Sequence, residues 1–151
     1  MQTKALLLAV KARLTSALAA YVRPSDVFIT PDPDFLPHGY RMPCVGIKDG
    51  PVRIAEGHSN TEEHAYQVAL VVWAAVNKPE ATIVGDAASG AKGLLEVAAD
   101  VVKALRGETL DLPGFQWARP VEVGETELAA DENSAASRQA IVFEFTWEGE
   151  P

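Results

Sequence analysis

Residues 64 to 76, HAYQVALVVWAAV, form a dense apolar run whose period decides what it is. Thirteen residues fall short of the roughly 20 that an α-helix needs to cross a bilayer, and His64 and Gln67 lie inside the window. Read with period two, Tyr66, Val68, Leu70, Val72 and Val76 share one bulky, β-branched face, while Gln67, Ala69, Val71, Trp73 and Ala75 share the other. That alternation predicts a long central strand with one side in a core and the other partly covered. The run RQAIVFEFTW alternates more cleanly still: Ile141, Phe143, Phe145 and Trp147 point one way, and Val142, Glu144, Thr146 and Glu148 the other.

Two stretches repeat at three and four instead. Leu6, Leu7, Val10, Leu14, Ala17, Leu18 and Tyr21 form the stripe of an amphipathic helix over residues 3 to 21, which Pro24 prevents from continuing. Leu94, Leu95, Val97, Ala98, Val101, Val102 and Leu105 form a second, with Lys103 and Arg106 suiting its C-terminal end and Gly107 placed to stop it. VFIT at 27–30 reads as a short strand, FQWARPVEV at 115–123 as a strand broken by Pro120, and CVGIKDGPVRI as two extended pieces around a hairpin-type Asp49-Gly50. Residues 30–43, with four prolines and no apolar period, and the acidic stretch 124–137 read as irregular connections.

This order predicts an α+β fold: a single domain over residues 1–151, built as an antiparallel sheet with two amphipathic helices packed on one face. Two helical stripes cover only that face. Val71, Trp73 and Val142 fall on the opposite side, and apolar sheet surface without a lid of its own points to a subunit contact there.

Composition sharpens the picture in two respects. The single cysteine, Cys44, excludes an intrachain disulfide and a cysteine-based zinc site, and favours a reducing, cytoplasmic setting. The net charge of −8 is concentrated: residues 1–120 hold 12 Lys and Arg against 13 Asp and Glu, whereas residues 121–151 hold Arg138 alone against eight acids. An acidic surface repels phosphates, which argues against sequence-specific nucleic-acid binding.

The candidate chemical motifs are weak. GDAASGAKG at 85–93 departs from a phosphate-cradling loop because Ala91 separates Gly90 from Lys92 and Gly93 stands where a metal-binding hydroxyl belongs. His38, His58 and His64 with Cys44, Glu62 and Glu63 lack a tight ligand spacing. Asp32 and Asp34 read as turn formers, and Cys44, at the head of an apolar strand, reads as a small hydrophobe. No catalytic, cofactor-binding or metal-binding set emerges; the remaining chemical reading is a small hydrolase or ligand-binding domain with a pocket under the 30–43 segment, using His38, Cys44 or Asp34.

The succession of TKALLLAVKARLTSAL, VFITPDPDFLPHGYRMPCVGIKDG, HAYQVALVVWAAV, GLLEVAADVVKAL, FQWARPVEV and RQAIVFEFTW resembles the tail-terminator (tail-completion) proteins of long-tailed bacteriophages over nearly the whole chain. That likeness rests on element order. It implies a non-enzymatic virion protein of the tail and neck, assembled in the host cytoplasm as a homo-hexameric ring. Such a ring ends tube polymerisation and joins tail to head, with tail tube protein and head-neck connector as partners, DNA passing through, and no membrane or cofactor. On this reading Glu122, Glu125, Glu127, Asp131 and Glu132 face the channel. Asp32, Asp34, Phe35, His38 and Tyr40 mark a partner-binding loop, and residues 124–137 provide a second contact segment.

Overall fold

The computed structural model describes residues 1–76, 78–130 and 135–151; Asp131 and Glu132 lie outside them. Six strands, β1 (Val27–Ile29), β2 (Cys44–Glu56), β3 (Glu62–Ala75), β4 (Phe115–Val123), β5 (Glu127–Ala130) and β6 (Ala135–Gly149), join in one sheet. Its order is β1-β2-β3-β6-β4, with β5 also paired to β6. Three helices accompany it: α1 (Thr3–Ala17), α2 (Pro79–Val84) and α3 (Leu94–Leu105). The fold is α+β, as the periodicities predict.

The core lies where the two long helical stripes meet the β-branched sheet face. Leu6, Val10 and Leu14 of α1 and Leu94, Val97 and Val101 of α3 pack in one cluster with Tyr66, Leu70, Ile141 and Phe143. β3 and β6 pair in unbroken register from Glu62↔Gly149 to Ala75↔Ala136, so directly opposite residues share a face and the two alternations reinforce each other. Helix α1 ends at Ala17, short of the expected Tyr21. The chain turns there with Leu18 still buried, and the Tyr21 hydroxyl donates to Asp100 of α3 at 2.6 Å.

Four other expectations need correction. The sheet is mixed: β1 runs parallel to β2, through Val27↔Val45 to Ile29↔Ile47. Parallel neighbours require a crossover connection of a dozen or more residues, and residues 30–43 are that connection. Asp49-Gly50 makes no hairpin, because β2 continues through both residues and absorbs Pro51 in an irregularity between Asp49 and Val52. The reversal comes at 57–61, where Ser59 and Asn60 adopt φ of 60° and 63° and Gly57 N–H donates to Thr61 O. Residues 124–137 are not wholly irregular, since β5 pairs with β6 through Ala129↔Ala136 and Ala130↔Ala135.

The fourth correction concerns the second sheet face, which has intrachain cover at one end. Val71 and Trp73 are 2% and 3% exposed, packed with Phe28, Cys44 and Ala136 under Leu36, Met42 and Ala129. They are interior residues and cannot serve as a free subunit surface. Val142, further along the same face opposite Ala69, is half-buried.

Candidate functional site

The 30–43 crossover is held by polar anchors as well as by packing. Arg23 donates to both carboxylate oxygens of buried Asp26 at 2.7 and 3.1 Å, and Asp26 also accepts from Arg41 N–H at 2.9 Å. The same guanidinium donates to Gly39 O at 3.0 Å. Thr30 hydroxyl donates to Asp32 O at 2.7 Å, and Asp34 N–H donates to Asp32 Oδ1 at 2.8 Å, an Asx turn. The result is an ordered loop that leaves Asp32, Asp34, Phe35, His38 and Tyr40 exposed while Leu36 and Met42 point inward.

The hydrogen bonds from Arg23 hold the Asp26 carboxyl below the usual carboxylate range, with burial opposing them and Arg41 N–H adding to them. A depressed folded pKa contributes stability above the unfolded value of about 4 and loses it as pH falls through the lower folded value. Asp26→Asn is therefore expected to cost about 1–3 kcal/mol at neutral pH and to flatten the acid limb of the stability profile. Urea midpoints measured between pH 2 and 7 check this, and an unchanged acid limb would show that Asp26 does not anchor the loop.

Arg138 is the residue that the sequence reading did not single out. It ion-pairs with Asp34 of the crossover, donates through Nε to Glu127 of β5 at 3.1 Å, and stacks 5.3 Å from the Trp73 ring centroid. The only signal was its isolation as the sole base among eight acids. Through it the structure joins two sets of residues that the sequence kept apart. Pro33 of the crossover lines a depression of about 200 Å³ together with Glu122, Glu125, Glu127 and Arg138. Glu122, Glu125 and Glu127 are all exposed. Among the described residues Glu122 and Glu125 meet no basic side chain, whereas Glu127 is engaged by Arg138.

The other chemical candidates are not assembled into sites. Cys44 is fully buried beneath the crossover, and desolvation pushes its thiol up to about 12, so it stays protonated. The volume under the loop is filled by Leu36, Met42 and Trp73, with His38 outside in solvent. At the glycine-rich approach to α3, Glu96 accepts from Gly93 N–H at 3.3 Å, placing a carboxylate where a phosphate would need to sit. His64 is buried between Glu62, 2.9 Å from Nε2, and the Tyr66 hydroxyl, 3.2 Å from Nδ1. Among the described residues no group of three or more His, Cys, Asp or Glu is placed to hold a metal ion, and no helix is long and apolar enough to cross a membrane.

No protein-family model and no curated protein matches the chain. A solved structure does: a chain of the virion of a native gene transfer agent (GTA) particle, with a TM-score of 0.54 at 18% identity, covering 95% of this chain and 95% of that one. At this identity the similarity is one of fold, and it extends over both chains almost end to end.

Proposed function

We propose that this chain is a structural virion protein of a phage-like particle, and specifically a tail terminator. Copies would assemble as a ring, with six as the expected number, on the head-proximal end of the tail tube. The ring would end tube polymerisation and present a docking surface to the head-neck connector. The observation that carries this reading is the near-complete fold match to a component of an assembled virion particle. The exposed, structurally anchored crossover supports it. The hydrolase reading has no comparable support: Cys44 is fully buried and His38 stands apart from it in solvent.

Incubation with purified tail tubes of the same particle, followed by electron microscopy, tests the proposal. Rings capping one tube end are the expected result; tubes that continue to grow in its presence would overturn it. A ring through which DNA passes gives Glu122, Glu125 and Glu127 a use as a repulsive lining. Glu122→Gln, Glu125→Gln and Glu127→Gln together are expected to raise affinity for double-stranded DNA at low salt on the order of tenfold. Fluorescence anisotropy of labelled DNA measures it, and unchanged binding would remove the channel role from these residues.

A further inference from the structure

Between α3 and the β4–β6 edge runs an open trough of about 490 Å³, lined by Leu95, Ala98, Ala99, Val102, Val123 and Ile141. Lys103 and Arg106 stand at its rim, and neither is in an ion pair among the described residues. Gln139, 6% exposed, lines the same trough. Its Nε2 donates to Gly124 O at 2.8 Å, which fixes the amide's orientation and leaves Oε1 buried without a partner among the described residues. The trough therefore fits a segment that supplies an apolar side chain and carboxylates for the two cations.

We infer that the occupant is the 30–43 crossover of a second copy of this chain, inserted through Phe35 with Asp32 and Asp34 directed at Lys103 and Arg106. This rests on the ring reading above. Phe35 is 52% exposed, and the Asp34 side chain remains 69% exposed even with Arg138 beside it. The Arg23–Asp26 anchor pre-orders the loop, so little freedom is lost on docking. Three other exposed apolar groups, Leu8, Trp117 and Leu128, fit less well. Leu8 of α1 lies between Lys4 and Lys11, which are positive like Lys103 and Arg106 and would be repelled by them. Trp117 and Leu128 belong to β4 and β5, the same edge as the trough, so only an isologous pair could seat them, and that contact closes at two copies. The crossover lies over the opposite sheet face, so its contact joins two different surfaces, as a head-to-tail ring requires.

The test uses the full chain assembled on purified tail tubes. His38→Cys, on the exposed part of the same loop, with Ala99→Cys, treated with a short bis-maleimide, is expected to give a ladder of covalent multimers, while either single variant gives none; buried Cys44 contributes no background. Arg106→Glu, at an exposed position, is expected to leave monomer melting unchanged, to lower ring formation at least tenfold, and to be rescued by Asp32→Lys. If rings form without the ladder and Arg106→Glu assembles normally, the contact is wrong and the ring reading stands. If Arg106→Glu leaves rings intact but blocks the head-neck connector, the trough belongs to that partner and the proposal is overturned. If the unaltered protein caps no tubes, the ring reading itself fails and takes this contact with it.

Discussion

Replacing Trp73 with alanine is expected to destabilise the isolated chain by about 3–5 kcal/mol, the usual cost of removing a buried indole. Trp73 is the largest side chain of the second core cluster and supports Phe28, Cys44 and Val71 beneath Leu36 and Met42. Its removal withdraws the platform on which Arg138 stacks, and with it the arrangement that brings Arg138 to Asp34 and Glu127. The crossover should therefore lose protection from proteolysis before the rest of the fold does. Trp73→Phe is the informative companion. Among the described residues Trp73 Nε1 has no hydrogen-bond partner, so phenylalanine sacrifices volume only and should cost roughly 1.5 kcal/mol or less. Urea denaturation of the monomer separates this account from the subunit-contact role predicted for Trp73: a contact residue would alter assembly and leave the monomer's midpoint in place.

Gly93→Ala should be nearly as damaging, although it adds a single methyl group. A Cβ at Gly93 would lie 2.2 Å from Gly85 N and 2.6 Å from Ile83 O, both backbone atoms that cannot rotate aside. Gly93 also serves as the N-cap residue of α3, so relief requires moving the start of that helix away from α2. We expect a loss of about 3 kcal/mol, at the upper end for overpacking. Gly90→Ala provides the control. Nothing lies within 4 Å of a Cβ there, and only its φ of +71° is penalised, at about 1 kcal/mol. Equal melting temperatures for the two variants would show that Gly93 is not held by this packing. The glycines of GDAASGAKG are thus explained by close backbone approach and turn geometry, with no phosphate needed.

Side-chain period is a local property, and it was enough to assign the strand and helix faces. Tyr66, Val68 and Leu70 face the core, Ile141, Phe143 and Phe145 join them, and Leu94, Val97 and Val101 cover them, all as spacing predicted. The sequence also revealed the acidic C-terminal fifth and the lack of a strong ligand motif. What tertiary structure alone decided depends on residues far apart in the chain. The parallel pairing of β1 with β2 sends residues 30–43 over the second face, and that passage turns Val71 and Trp73 from expected contact residues into core. Asp49-Gly50 looked like a hairpin until β3 supplied partners on both sides of the irregularity between Asp49 and Val52. Arg138 gained meaning only when Asp34, more than a hundred residues earlier, came beside it. Periodicity records which side of an element is apolar; which segment covers that side is set by chain crossing, and crossing leaves no local signature.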